Sequence, residues 1–196
     1  MTALWIVLGV IAVLVIATIA SYNRFVRQRN LIEESWRQID VELRRRYDLI
    51  PNLVETVKGY AAHERQVLQA VIEARAQATQ PSASRADQAR DENVLSRALG
   101  GLLAVAEAYP NLKADSQFLA LQQQLTETED RIAAGRRFYN ANVRAYNTRT
   151  ETFPSSIVAS FGKFTKAEYF EAEEPEVRAP VKVDFDTGGS STTPSA

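Results

Sequence analysis

The tightest cluster of reactive side chains is Arg44-Arg45-Arg46, which lies beside Tyr47 and Asp48. Successive residues of a helix project to different sides, so three adjacent arginines cannot all face one partner. Arg46 also falls on the apolar register of its helix, where it can extend to the surface or pair with a carboxylate of another helix. A solvated or structural face and a contact with a partner or an anionic lipid both remain open for this cluster.

The next candidate is His63-Glu64, which contains the single histidine of the chain. A zinc-protease motif needs a second histidine four residues on, and a metal site in a helical bundle uses Glu-x-x-His on each of two helices. One histidine therefore predicts no metal site within a monomer. The absence of cysteine excludes thiol chemistry. We expect no cofactor and no catalytic residue.

Tyr139-Asn140 and Tyr146-Asn147 repeat one dipeptide seven residues apart. Both tyrosines fall on an inner apolar stripe, and a buried tyrosine hydroxyl needs a hydrogen-bond partner. The repeat indicates either core packing with a polar network or a recognition surface. The net charge of -1 gives no argument for nucleic acid. Because no phosphate loop or nucleophile elbow occurs, we do not expect an enzyme.

The N-terminus carries a different signal, because the first 23 residues contain no charged side chain. Residues 3–20 are apolar apart from Gly9 and Thr18. A hydrocarbon core needs about 20 helical residues to cross. The stretch predicts a transmembrane anchor at residues 1–23, with lipid contacts through residues 3–20. A cleaved signal peptide and a soluble core helix are the alternatives, although no basic residue precedes Arg24 to form the usual signal.

The orientation of this anchor follows from the arginines that flank it. Arg24, Arg27, Arg29 and Arg37 all follow the apolar stretch, and only the α-amino group precedes it. The positive-inside rule then predicts an outside N-terminus and a cytoplasmic C-terminal domain.

Three long amphipathic helices are expected after the anchor, at about residues 24–79, 85–109 and 115–152, with a short apolar piece at 157–161. Short loops favour antiparallel neighbours, so we predict an all-α, up-and-down helical bundle over residues 24–170. Pro51 either lies within a kinked continuous first helix or begins a fourth helix. Residues 171–196 are acidic and then rich in Gly, Ser and Thr, which predicts disorder.

The unequal lengths of these helices predict an interaction surface. A continuous first helix exceeds the second, so its membrane-proximal half lacks cover and leaves an apolar stripe. We expect lateral homo-oligomers through this stripe, with Trp36 at the centre. The candidate interaction residues are Trp36, Ile39, Leu43, Arg44, Arg45 and Arg46.

Several blocks of the sequence resemble the LemA family. The longest covers residues 36–64, and others are 125–129 with 131–132, 138–140, 146–148, 153–155 and 183–185. The resemblance spans nearly the whole chain past the anchor. It implies a single N-terminal span and a cytoplasmic helical bundle, and it implies no established reaction.

Together these observations predict a membrane-anchored helical interaction or scaffold protein at the cytoplasmic face of the bacterial inner membrane. The alternative is an accessory adaptor or regulator that serves a membrane protease, kinase or transporter. The sequence does not identify the partner protein.

Overall fold

The protein is all-α, as predicted. The computed structural model describes residues 1–171, and these residues form six helices and no strand. The predicted disordered tail lies outside the described residues, except for Glu171.

The first helix, α1, spans Thr2–Tyr60 and is about 90 Å long. Its N-terminal part contains an 18-residue window with a mean hydropathy of 2.9, and no residue of this window is buried. Among residues 1–171, α1 is the one helix long and apolar enough to cross a membrane. Burial begins at Phe25, which is fully enclosed. One uninterrupted helix thus provides both the apolar stretch and the first helix of the bundle.

Pro51 lies inside α1, which confirms the continuous helix over a corner at this position. The proline is exposed, whereas Ile50 and Leu53 on either side are buried. Proline cannot donate to the carbonyl four residues back, which belongs to Tyr47. Arg75 replaces this donor with its Nε, at 2.8 Å from the Tyr47 carbonyl oxygen.

The predicted end of the first helix near residue 79 was wrong. The helix ends at Tyr60, the chain turns through residues 61–64, and a separate helix, α2, spans Arg65–Ala78. α2 runs back along α1, so that Val71 packs in the same core as Val57. The apolar pattern predicts one long helix because residues on both sides of the turn are buried in this core.

The remaining helices lie close to their predicted positions. Ser84 caps α3 by accepting a hydrogen bond from the Asp87 amide, and Asp115 caps α5 by accepting one from the Phe118 amide. The short α4 was not predicted, and Pro110 begins it. The bounds are α3 Arg85–Ala106, α4 Pro110–Lys113, α5 Ser116–Glu151 and α6 Ser155–Phe161.

Two hydrophobic cores fill the bundle along the α1 axis. The distal core, which is farther from the apolar stretch of α1, joins the C-terminal part of α1 to α2, α3, α4 and the start of α5. The proximal core, which is next to the apolar stretch, joins residues 25–43 of α1 to the second half of α5, to α6 and to the segment after α6. α5 runs antiparallel to α1, which places Gly135 against Ile39 and Asn142 against Ser35.

The expectation of an uncovered apolar stripe on α1 was also wrong. Trp36 is 8% exposed, and Ile39 and Leu43 are each 1% exposed. Side chains of α5 cover this stripe together with Phe170, which lies beyond α6. The stripe is therefore core of the monomer and leaves no free apolar surface for lateral oligomers at these three residues.

Candidate interaction site

Arg46 is the centre of a buried ion network between the two cores. Its side chain is 1% exposed, and its Nη2 forms an ion pair with Glu92 of α3. Its Nη1 lies 2.5 Å from Glu129 Oε1 of α5 and 3.0 Å from Ser96 Oγ. Of the two alternatives for Arg46, the structure shows pairing with other helices. Because a buried cation needs such partners, the network fixes α1, α3 and α5 relative to one another.

Tyr47 and Gln88 extend this network towards the surface. The Tyr47 hydroxyl donates to Glu92, and Gln88 Nε2 donates to Glu92 Oε1 at 2.7 Å. Burial raises the pKa of the Tyr47 hydroxyl to about 12, so it remains a neutral donor at physiological pH. Sequence reasoning missed Glu92, although this carboxylate shares the buried stripe of α3 with Leu95 and Leu99.

The other two arginines of the cluster do not join this network. Arg44 is exposed and pairs with Asp40 one turn earlier, at 3.0 Å. Arg45 is partly exposed. The three arginines therefore project to different sides of α1, as expected for adjacent residues of a helix.

Trp36 forms one wall of a groove, which we call the tryptophan groove. It has a volume of about 410 Å³, and its lining residues are Trp36, Asp40, Pro81, Ser82, Ala83, Ser84, Arg85, Gln88 and Glu168. The Arg85 guanidinium carbon lies 3.6 Å from the centroid of the Trp36 ring, a cation–π contact. Gln88 connects this groove to the buried ion network. Of the predicted interaction residues, Trp36 alone lines this groove.

Residues 164–170, which we call the strap, return along α5 and are held by two asparagines. Asn147 Nδ2 donates to the Ala167 carbonyl at 2.9 Å, and its Oδ1 accepts from the Ala167 amide at 2.8 Å. Asn140 makes the same pair of bonds to Phe170, at 3.3 and 2.9 Å. Each asparagine thus satisfies both main-chain groups of one strap residue.

The spacing of this asparagine ladder matches the strap. Seven helical residues rise about 10.5 Å, and three extended residues span about 10 Å. The Tyr139 hydroxyl adds a hydrogen bond of 2.9 Å to the Glu168 carbonyl between the two rungs. The repeated Tyr-Asn dipeptide is therefore core packing with a polar network. Sequence reasoning missed the strap, and this repeat was the signal that could have indicated it.

The remaining candidate, His63, is exposed in the turn between α1 and α2. Within residues 1–171, no group of three or more His, Cys, Asp or Glu side chains is placed to hold a metal ion.

Comparison with known proteins identifies one family and several relatives. The family model described as LemA family matches residues 35–185. Magnetosome protein MamQ 2 of Paramagnetospirillum magneticum is 29% identical over an alignment of length 204, which covers 89% of this chain and 75% of that protein. Magnetosome protein MamQ of Magnetospirillum gryphiswaldense is 25% identical, with 82% and 68% covered. Protein LemA of Metamycoplasma hominis is 25% identical, with 84% and 73% covered.

None of these names states a reaction. The family match and the apolar first part of α1 together indicate a membrane-associated protein. The family model covers most of the chain, including all the blocks that resemble the family. The chain therefore belongs to the LemA family.

Proposed function

We propose that this protein is a membrane-anchored helical scaffold whose bundle stands at the cytoplasmic face of the bacterial inner membrane. The observation that carries the proposal is the continuity of α1 from the apolar stretch into the bundle. Phe25 is already enclosed by the bundle, five residues after the last apolar position at Ala20. Without a linker at this point, a protein bound to the bundle is held at a fixed height above the bilayer.

The interior of the bundle supports this role. The Arg46 network ties α1 to α3 and α5 midway along the bundle, and α1 continues past Pro51 to Tyr60. The part of α1 beyond Arg24 is about 55 Å long at 1.5 Å per residue. A continuous helix of this length presents binding surfaces at defined distances from the membrane.

The cytoplasmic orientation is supported by the exposed arginines at positions 24, 27 and 29, which follow the apolar stretch. Because the chain has no cysteine, a single cysteine can report on topology. Gln66→Cys in α2 should react with an impermeant maleimide only after spheroplasts are permeabilised. Thr2→Cys, at the other end of α1, should react in intact spheroplasts. The reverse labelling pattern would place the bundle outside.

The tryptophan groove is our proposed partner site, because it places the Asp40 and Glu168 carboxylates beside the Arg85 guanidinium that covers the Trp36 ring. A photo-crosslinking amino acid at Ala83, an exposed groove residue, should give crosslinked species in native membranes. The same amino acid at exposed Gln117, at the start of α5, is the matched control.

The crosslinked product distinguishes the two proposed roles. Products containing further copies of this chain support a scaffold, whereas a different protein supports the alternative, an adaptor or regulator of a membrane protease, kinase or transporter. Equal crosslinking at Ala83 and Gln117, or none at either position, would contradict the groove as the partner site.

A further inference from the structure

The end of the bundle next to the apolar stretch of α1 carries three exposed hydrophobic side chains. Phe153 is 77% exposed, Ile157 is 50% exposed and Phe161 is 87% exposed. Ile157 and Phe161 are four residues apart in α6, so they lie on the same side of this helix. We call these three residues the α6 apolar face, although Phe153 lies two residues before α6 begins. Phe and Ile side chains exposed together usually mark a contact surface.

The position of this face along α1 identifies what it contacts. The strap begins three residues after Phe161, and its Phe164 ring lies 5.3 Å from Tyr22 and 4.8 Å from Phe25, between ring centroids. Tyr22 and Phe25 flank Arg24, the residue at which charge begins on α1. α6 is therefore attached to α1 at the level where this helix leaves the hydrocarbon region, where aromatic residues are enriched.

The charges around α6 fit the surface of an anionic bilayer. Arg24 and Lys163 are exposed, and the Arg149 guanidinium lies 5.8 Å from the Phe25 ring. The carboxylate of Glu151, at the end of α5, is already paired with Lys166. Basic side chains beside exposed apolar ones are the combination that binds an interface containing acidic lipids.

We propose that the α6 apolar face lies on the same bilayer that α1 crosses. Phe153, Ile157 and Phe161 insert at the level of the headgroups and upper acyl chains, and Arg24, Arg149 and Lys163 contact lipid phosphates. The protein is then fixed to the membrane at two places. A single spanning helix leaves the bundle free to rotate about the helix axis, and the α6 contact selects one face of the bundle to point away from the lipid.

This inference rests on the proposed membrane anchorage, and a depth measurement tests both separately. Single cysteines replace Ile157, Phe161, Leu14 or Val94 in the full-length protein and carry a nitroxide label. The protein is reconstituted into vesicles of phosphatidylcholine and phosphatidylglycerol. Collision rates are measured with oxygen, which concentrates in lipid, and with a water-soluble nickel chelate. Leu14 reports on the anchor, and Val94 is an exposed apolar residue of α3 away from α6.

The ratio of the oxygen collision rate to the nickel collision rate should be several-fold higher at positions 157 and 161 than at 94. It should approach the ratio at position 14. Ratios at 157 and 161 equal to the ratio at 94, with a lipid-like value at 14, would overturn the α6 contact alone. A water-like value at 14 would overturn the anchorage as well. Low collision rates with both reagents at 157 and 161 would mean a protein contact there and would also overturn the proposal. Agreement between the two labelled positions, with unchanged helicity, excludes a local folding defect.

Discussion

Arg75 donates a hydrogen bond of 2.8 Å from Nε to the carbonyl oxygen of Tyr47, the acceptor that Pro51 leaves without its helical donor. A side chain of α2 thus completes the main-chain hydrogen bonding of α1. This relationship explains how one helix passes through a proline without ending. It also links the return of α2 along α1 to the segment of α1 that contains Pro51.

The first prediction uses this pair in a double-mutant cycle. Arg75→Ala should lower the free energy of unfolding by about 1 to 3 kcal/mol, because it leaves a partly buried carbonyl without a donor. In a Pro51→Ala background the alanine amide can bond to the Tyr47 carbonyl, so the same Arg75→Ala change should cost less. Urea unfolding in detergent micelles, followed by circular dichroism, measures all four proteins. Equal costs in the two backgrounds would show that the Tyr47 carbonyl does not depend on Arg75.

The second prediction concerns the buried ion network. Arg46→Met should lower the free energy of unfolding by about 3 to 5 kcal/mol, since it leaves the buried Glu92 carboxylate without its cation. Adding Glu92→Met should recover much of this loss. Arg44→Met, two residues away, removes an exposed ion pair with Asp40 and should cost less than about 1 kcal/mol. Similar losses for Arg46→Met and Arg44→Met in the same unfolding assay would count against a structural role for the network.

The third prediction tests the asparagine ladder. Asn147→Ala should release the strap, because the Ala167 amide and carbonyl both lose their partner. Hydrogen exchange at the Ala167 amide should become faster, while exchange in the middle of α5 stays unchanged. Asn142→Ala is the matched control, because this asparagine of the same helix bonds to Ser35 instead. If both variants left the exchange at Ala167 unaltered, the ladder would not hold the strap.

The fourth prediction compares two helical glycines. A Cβ on Gly135 would lie 2.9 Å from Ile39 Cγ1, whereas a Cβ on Gly100 would have no atom within 4 Å. Gly100→Ala should therefore stabilise the protein by up to about 1 kcal/mol through helix propensity. Gly135→Ala should give no gain or a loss of about 1 kcal/mol, because α5 must move away from α1. Denaturant midpoints measure both changes. An equal gain at the two positions would mean that α5 does not approach α1 closely at Gly135.

Features that depend on local signals could be predicted from the sequence. The uncharged stretch before Arg24 predicted the candidate span, and three- and four-residue apolar spacing predicted the long helices. The ends of α3 and α5 were predicted within a few residues, because Pro110 and Pro154 mark them. The family resemblance was also present in the sequence and is confirmed by the family match.

The pairing of segments depends on contacts between residues far apart in the chain, and these contacts could not be predicted from the sequence. The turn after Tyr60 has little local signal beyond Gly59, and it occurs because α2 must return to the core it shares with α1. The partners of Arg46 lie 46 and 83 residues further along the chain, at Glu92 and Glu129. No spacing rule connects residues at such separations.

The stripe on α1 shows the same limit most clearly. The apolar pattern predicted that Trp36, Ile39 and Leu43 lack cover in the monomer and pack against another copy, but the chain's own α5 and Phe170 cover them. The strap performs part of this role, with Phe170 packed on Trp36 at 5.0 Å between ring centroids. A periodic apolar pattern indicates that one face of a helix is buried, because the free energy of burial depends on the apolar surface area of each residue. The pattern does not indicate which segment covers the buried face, because the hydrophobic effect is non-directional.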